Sequence, residues 1–232
     1  MISLRQGADR GHFNYNWLDT RHTFSFADYH DPEQMGYSVL RVINEDIVSP
    51  GKGFATHGHR DMEIITYILE GELEHKDSLG NGSIIRPGEV QRMTAGSGIT
   101  HSEFNPSKTN PVHLLQIWIY PESEGLPPGY DQKTFSPHEW RGAWRAVVTP
   151  DGRGKSVIIH QNAYMYVTGL LAGESATHNL PPTRKAYLHL ARGQATVNGA
   201  SMSAGDGVRI KEEQKVHLTA LDTAEALLFD LP

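Results

Sequence analysis

The sequence predicts an all-β protein in which two similar halves each form a barrel or sandwich. Three observations support this prediction. The 232 residues include 23 glycines and 13 prolines, so the chain turns often. Short apolar runs recur between turn signals, and no segment before residue 120 shows a long apolar pattern with a 3.6-residue period. The turn chemistry of the first half also recurs in the second half.

The first half contains six strand-like runs, which cover residues 38–43, 62–69, 71–76, 82–85, 90–94 and 113–120. Glycine turns separate several of these runs, among them Glu70-Gly71 and Pro87-Gly88. Such dipeptides are typical of hairpins and tight turns. The runs and turns together predict a β-sandwich or barrel.

A polar, proline-rich stretch interrupts the strand pattern at residues 121–129, PESEGLPPG. This composition is typical of a connection between domains. We therefore expect an N-terminal domain over residues 1–130, a linker over residues 131–141 and a C-terminal domain over residues 142–232.

The second half resumes the strand pattern, with runs at residues 157–160, 164–171, 187–191, 194–197, 207–210, 216–220 and 226–231. Its turns resemble those of the first half: LEGE at residues 69–72 compares with ARGQ at 191–194, and RPGE at 86–89 compares with SAGD at 203–206. Gly-acid turns are common in β proteins, so chance is the alternative explanation. The repeated spacing favours duplication.

Histidine and glutamate residues in the first half have the spacing of a metal site. His57 and His59 are two residues apart, as are His101 and Glu103. Alternate residues of a strand face the same side, so each pair could bind one ion, and Glu63 shares the parity of the first pair if that strand runs on unbroken. This nitrogen and oxygen set suits iron, nickel, copper, manganese or zinc, and the lack of thiolate argues against a structural zinc site.

Chance is again the alternative, because the chain has 13 histidines. The presence of two such pairs, each after a glycine-rich turn, favours a metal site, and a set with open coordination positions is typical of catalysis. The second half has histidines but no similar pair; these are His160, His178, His189 and His217. We therefore expect the metal in the N-terminal domain and none in the C-terminal domain.

Composition excludes several classes of function. The formal net charge is -6 and the chain has no basic run, which argues against direct nucleic-acid binding. The longest apolar stretches are too short to span a bilayer, and the start lacks the apolar region of a secretory signal. The absence of cysteine is compatible with a reducing compartment. We expect a cytoplasmic protein without membrane partners.

Longer motifs carry a resemblance to a known family. Residues 51–63, GKGFATHGHRDME, and 95–105, AGSGITHSEFN, resemble the first and second motifs of the cupins. Further segments narrow the resemblance to the pirin family, specifically to bacterial bicupins with quercetinase activity; they are FSFADYHDP at 24–32, LRVINED at 40–46 and LQIWI at 115–119. The similarity is strong over residues 11–120 and weaker beyond them.

The resemblance implies two tandem cupin domains, each a jelly-roll β-barrel, with one divalent transition metal per chain. Iron is the first expectation, with nickel, copper, manganese, cobalt or zinc as alternatives. The pirin pattern implies the ligands His57, His59, His101 and Glu103, whereas the general cupin pattern would use Glu63 in place of Glu103. We follow the pirin pattern and keep both glutamates as candidates for the catalytic base.

The resemblance also implies two alternative functions. The first is a quercetin 2,3-dioxygenase, which cleaves a flavonol with O2 and releases carbon monoxide. By strand parity, Phe54, Met93, Leu115 and Ile117 are candidates for the substrate walls. The second is a redox-sensing, metal-binding co-regulator that binds a protein partner. No partner motif is present in the sequence, which favours the enzyme.

Overall fold

The computed structural model describes all residues from Met1 to Pro232, and nearly all of its regular structure is strand. The N-terminal barrel combines a seven-stranded and a four-stranded sheet. Its strands are β2 (Gly11–Asn14), β3 (Leu18–His22), β4 (Leu40–Val48), β5 (Gly53–His59), β6 (Glu63–Glu70), β7 (Leu73–Asp77), β8 (Gly82–Ile85), β9 (Glu89–Thr94), β10 (Ile99–Phe104), β11 (Val112–Ile119) and β12 (Gly129–Thr134).

The C-terminal barrel has the same composition of sheets. Its strands are β1 (Ile2–Arg5), β13 (Arg145–Thr149), β14 (Val157–Ile158), β15 (Tyr164–Leu170), β16 (Ser175–Asn179), β17 (Lys185–Arg192), β18 (Gln194–Val197), β19 (Ala200–Ser203), β20 (Gly207–Lys211), β21 (Lys215–Ala220) and β22 (Ala224–Leu231). The helical elements are short: α1 (Pro137–Trp140) and two 3-10 turns, Gly7–Asp9 and Arg153–Lys155. The fold is therefore all-β with two cupin-type barrels, which confirms the predicted class.

The two barrels share one strand order. The first large sheet runs β12-β9-β6-β11-β4-β3-β2 and the second runs β1-β20-β17-β22-β15-β13-β14, while the small sheets run β5-β10-β7-β8 and β16-β21-β18-β19. A β-bulge also recurs at the same place: the pairing between β6 and β11 skips Leu69, and the pairing between β17 and β22 skips Ala191. Shared topology and a shared bulge match the internal repeat predicted from the turns.

Strand exchange at the sheet edges affects the expected domain boundaries. The first strand, β1, pairs with β20 and so belongs to the C-terminal sheet. In return, β12 pairs with β9, so residues 131–134 of the expected linker extend the N-terminal sheet. The domain boundaries predicted from the sequence do not include this exchange. Turn signals indicate where strands end, but they carry no information about distant pairing partners.

The largest apolar core lies between the barrels. It contains 23 buried residues, most of them from the outward faces of the two large sheets, including Ile43 and Ile117 from the first and Met165, Tyr187 and Phe229 from the second. Burial of this area removes apolar surface from water at roughly 25 cal/mol per Å². The large sheets therefore pack back to back, and the small sheet of the N-terminal barrel lies on the far side, where it carries the histidines.

No helix in the structure is both long enough and apolar enough to span a membrane.

Candidate metal centre

Strands β5 and β10 bring the three predicted histidines together. The strands are antiparallel neighbours, with His101 paired to His57 and Ile99 paired to His59. Directly paired residues share a face, so His57, His59 and His101 all point into the barrel. A β-bulge follows His101. Phe54 is an odd number of residues from His57, so in a regular strand it would face the opposite side. The bulge shifts the register and turns the Phe54 side chain onto the same inner face as His57.

The turn before β10 depends on a glycine. Gly96 has a φ of 47°, and a Cβ placed there would lie 1.9 Å from the backbone oxygen of Leu126. Only glycine avoids that clash. The glycine-rich segment noted in the sequence therefore positions the start of β10 against the loop that contains Leu126.

The three imidazoles have the spacing of ligands to one ion. Their ring centroids are 4.5 to 4.9 Å apart, and Nε2 of His57 lies 3.1 Å from Nε2 of His101. Nitrogens that bind one ion at about 2.1 Å are about 3.0 Å apart at a right angle and about 3.4 Å apart in a tetrahedral site. The observed separation falls between these values.

The protonation of the histidine side chains is compatible with metal binding. Nδ1 of His57 donates a hydrogen bond to the backbone oxygen of Ala55 at 2.8 Å, so the neutral ring has its lone pair on Nε2, toward the cluster. Burial lowers the pKa of His101 to about 3, and burial with the nearby His57 lowers that of His59 to about 4. The imidazoles of His59 and His101 are therefore neutral at pH 7, as metal ligands must be.

Glu103 lies behind His101, at the inner end of the site. It is buried and accepts a hydrogen bond from Nε2 of Gln116 at 2.7 Å. Burial, reinforced by the charge of Asp46, raises its pKa to about 7. Its carboxylate forms a second potential ligand group with His101 and His75, whose ligand atoms lie within 4.8 Å of one another.

Glu63 lies apart from this cluster. The strand does not run on unbroken, because β5 ends at His59 and β6 begins at Glu63 in the other sheet of the barrel. The Glu63 carboxylate contacts Nδ1 of His160 and Oγ1 of Thr94, both at 3.1 Å. The parity argument that linked Glu63 to His57 and His59 therefore does not apply, and Glu63 joins the two barrels instead.

The histidines and Glu103 open onto a cavity of about 530 Å³. Its apolar walls are Trp17, Phe26, Phe54, Ile64 and Trp118, and its remaining lining includes Asn44, Asp46 and Gln116. Of the four predicted wall residues, Phe54 alone lines this cavity. Leu115 and Ile117 instead belong to the core between the barrels, and Met93 packs with Ile64 beneath the wall.

Sequence reasoning missed a buried pair behind His101. Nδ1 of His75 lies 3.5 Å from Nδ1 of His101, and Nε2 of His75 lies 3.2 Å from Oδ2 of Asp77. His75 and His101 thus share one end of the site, and Nε2 of His101 is left facing His57. The only available signal was the two-residue spacing of His75 and Asp77, and the predicted run at residues 71–76 ended just before Asp77.

The C-terminal barrel has apolar residues at three of the corresponding positions. His178 occupies the position of His57, since it pairs with Val216 as His57 pairs with His101, and its Nε2 lies 2.9 Å from Oδ2 of Asp230. Val197 lies as far after the turn glycine Gly193 as His75 lies after Gly71, so Val197 corresponds to His75. Leu218 pairs with Val197 as Glu103 pairs with His75, so Leu218 corresponds to Glu103. Val216, two residues before Leu218, then corresponds to His101. Neither Val216 nor Leu218 can bind a metal.

Fold and site together define a bicupin with a histidine-rich metal site in one barrel. Comparison with known proteins gives the family. Residues 4–119 match the pirin family and residues 146–231 match the quercetinase C-terminal cupin domain. The chain belongs to the pirin family.

Close relatives cover the full chain. It is 47% identical over 232 residues to a quercetin 2,3-dioxygenase of Escherichia coli strain K12, an alignment that covers 100% of this chain and 99% of the relative. It is 40% identical to a pirin-like protein of Caulobacter vibrioides, with 97% and 94% covered. Among solved structures, bacterial pirin YhhW of Escherichia coli in complex with nickel(II) matches with a TM-score of 0.95 and 47% identity, covering 100% of this chain and 99% of that one.

Proposed function

We propose that this protein is a metal-dependent dioxygenase that cleaves flavonols such as quercetin with O2. The observation that carries the proposal is the convergence of three imidazoles and one buried carboxyl on an aromatic-walled cavity. A full-length relative with 47% identity that is named quercetin 2,3-dioxygenase supports the same reaction. The chain is thus an oxidoreductase of the quercetinase type.

One divalent transition metal would be held by His57, His59, His101 and Glu103. The spacing of the imidazoles suits such an ion, and nickel is present in the complex of the related YhhW. Iron is the metal we propose first for this chain, since a site of histidines and one carboxylate with open positions is typical of non-haem iron oxygenases. When bound, the metal supplies a Lewis acid that favours the ionised form of a hydroxyl group and a redox partner for O2.

Glu103 is the proposed catalytic base. Its carboxyl group lines the cavity, where it can accept a proton from a bound hydroxyl group. The hydrogen bond from Gln116 holds Oε1 in place, so the carboxylate is oriented toward the cavity before a flavonol enters. Glu103 would accept the proton of the flavonol 3-hydroxyl group. Glu63 is no longer a candidate for this role, because Thr94 and His160 hold its carboxylate away from the cavity.

The cavity walls would bind the flat ring system. Trp17, Phe26 and Trp118 offer aromatic surface around the histidines, and Phe26 and Trp118 meet edge to face at 5.2 Å. Such walls exclude water from the reacting carbons. In the overall change the C2–C3 and C3–C4 bonds break, one oxygen atom of O2 bonds to C2 and the other to C4, and C3 leaves with its own oxygen as carbon monoxide. The organic product is an open-ring ester.

The test is consumption of quercetin by metal-loaded protein with and without O2, with carbon monoxide measured in the same vessel. We expect consumption only with O2 and carbon monoxide in proportion to the quercetin lost. His57→Ala at the same total metal concentration is the control for free-metal oxidation. Bleaching at equal rates in the wild type and this variant, or bleaching without carbon monoxide, would refute the proposal and favour the co-regulator function.

A further inference from the structure

A buried histidine and a buried aspartate lie behind the metal site, and the proposed function gives neither of them a role. His75 and Asp77 are two residues apart on β7, and the exposed fractions of their side chains are 1% and 0%. Burial of ionisable groups costs free energy unless they are paired. Nε2 of His75 lies 3.2 Å from Oδ2 of Asp77, and its other nitrogen, Nδ1, lies 3.5 Å from Nδ1 of His101.

The turn after β7 fixes the Asp77 carboxylate. Oδ1 accepts hydrogen bonds from the backbone N–H groups of Leu79 at 2.9 Å and Asn81 at 3.1 Å, and Oδ2 accepts one from Nδ2 of Asn81 at 2.9 Å. Several N–H donors around one carboxyl group favour its ionised form, which can only accept hydrogen bonds. The bond to Asp77 therefore requires a hydrogen on Nε2 of His75.

The remaining hydrogens follow along a line of side chains. With its hydrogen on Nε2, a neutral His75 has its lone pair on Nδ1, which faces Nδ1 of His101. Nδ1 of His101 therefore donates, and the lone pair of His101 lies on Nε2, 3.1 Å from Nε2 of His57. A metal ligand that binds through Nε2 needs this tautomer. Asp77, His75 and His101 thus form a hydrogen-bond relay that ends at the metal site.

Tyr130 of β12 packs against the His75 ring. The two ring centroids are 5.0 Å apart, and the Tyr130 hydroxyl donates a hydrogen bond to Oε1 of Gln132 at 2.6 Å. This contact restricts rotation of the His75 ring and keeps its Nδ1 directed at His101.

The C-terminal barrel has no equivalent of the relay. Val197 corresponds to His75, and Gly199, two residues further on, corresponds to Asp77. The ligand at the end of the relay is also replaced there, by Val216. The fold therefore accommodates this hairpin without a histidine and an aspartate, and the pair is present in the barrel that has a metal ligand to orient.

We propose that His75 and Asp77 are positioning residues that make His101 a stronger metal ligand. This inference rests on the metal ligands of the proposed function, but it does not depend on the flavonol reaction. Asp77 polarises His75, and His75 accepts the Nδ1 hydrogen of His101. The relay thereby fixes the orientation of the His101 ring and raises the electron density at Nε2.

The test is nickel affinity, measured by chelator competition. His75→Phe keeps an aromatic ring but removes the acceptor, and it should weaken nickel binding by about 10- to 100-fold. His75→Asn is smaller but places an amide oxygen near the position of Nδ1, so it should recover part of the affinity. Asp77→Asn removes the charge and should weaken nickel binding by at least about 3-fold, because a neutral partner forms a weaker hydrogen bond than a carboxylate.

The matched control is Asp230→Asn, which removes the charge from the histidine–carboxylate pair His178–Asp230 of the other barrel. This variant should keep the nickel affinity of the wild type. A second readout is proton NMR of cobalt(II)-loaded protein, in which the ion shifts the N–H signals of its imidazole ligands. Asp77→Asn should move one of these signals, whereas Asp230→Asn should move none.

Equal loss of nickel affinity in His75→Phe and His75→Asn would indicate a packing role and overturn the inference. Unchanged affinity and unmoved N–H signals in Asp77→Asn, which keeps the size of the side chain, would also overturn it and decide the case in which the His75 variants fail to fold. Neither measurement involves a flavonol or O2. The expected losses of affinity together with no quercetin cleavage in the aerobic assay would support the positioning role and refute the dioxygenase.

Discussion

At the scale of single residues, backbone and side-chain hydrogen bonds decide which atoms face the metal site. The bond from His57 to Ala55 places the lone pair of that imidazole on Nε2, and the bond from Gln116 fixes Oε1 of Glu103. Both bonds are made by the protein's own atoms, so the chain itself orients these two side chains. Residues two positions apart therefore supply donors that are already aimed at one point.

The two glutamates should respond differently to substitution. Glu103→Gln removes a charged oxygen ligand and should weaken metal binding by at least about 10-fold. Glu63→Gln should leave metal affinity unchanged and instead lower the free energy of unfolding by about 1 to 3 kcal/mol, because it disturbs the buried bonds to His160 and Thr94. Chelator competition and thermal unfolding measure the two effects. A loss of affinity in the Glu63 variant alone would restore the general cupin pattern.

Asp46 should make stability depend on pH. Burial raises its pKa in the folded state to about 7 from an ordinary value of 3.8, so the folded protein holds this proton more tightly than the unfolded chain. Its contribution is therefore most favourable below pH 4 and is lost as the pH rises to 7. In metal-free protein, wild type should lose stability relative to Asp46→Asn between pH 4 and pH 7. A difference that stays constant over that range would contradict the raised pKa.

At the scale of elements, strand positions were more predictable than strand faces. The histidine pairs and the turns at Gly71 and Gly193 followed from local spacing and turn chemistry. The wall residues on β11 did not, because Leu114, Leu115, Gln116 and Ile117 are all buried and a strand buried on both faces lacks an alternating pattern. Strand parity also predicted that Glu63 faces the same side as His57 and His59. This does not hold, because the chain turns between β5 and β6 and β6 belongs to the other sheet.

The exchanged edge strand β1 provides a test at this scale. Removing residues 1–5 exposes the edge of β20 and should lower the free energy of unfolding by about 2 to 6 kcal/mol, given the lost ladder hydrogen bonds. Amide hydrogen exchange should become faster at Gly207–Lys211 and stay unchanged at Glu89–Thr94, the equivalent strand covered by β12. Ser3→Ala, which keeps the strand, serves as the control. Equal protection of β20 in the shortened chain would contradict its dependence on β1.

At the scale of the whole molecule, one fold serves two purposes. The N-terminal barrel places a cluster of histidines on its inner faces, whereas the C-terminal barrel fills most of the same space with apolar side chains and has His178 bonded to Asp230. The core of 23 residues joins the outer faces of the two large sheets. The C-terminal barrel thus supports the N-terminal one through burial. Local sequence similarity indicated the duplication, but this division of roles required the strand register.

Metal content per chain tests the central claim most directly. The account predicts one divalent transition metal per chain by elemental analysis after removal of loosely bound ions. His57, His59 and His101 converge in the N-terminal barrel, whereas Val216 and Leu218 occupy the positions of His101 and Glu103 in the C-terminal barrel. His57→Ala and His101→Ala should each remove the metal, and His138→Ala, a change at an exposed histidine of α1, should retain it. Two metals per chain, or full retention in both site variants, would contradict the account.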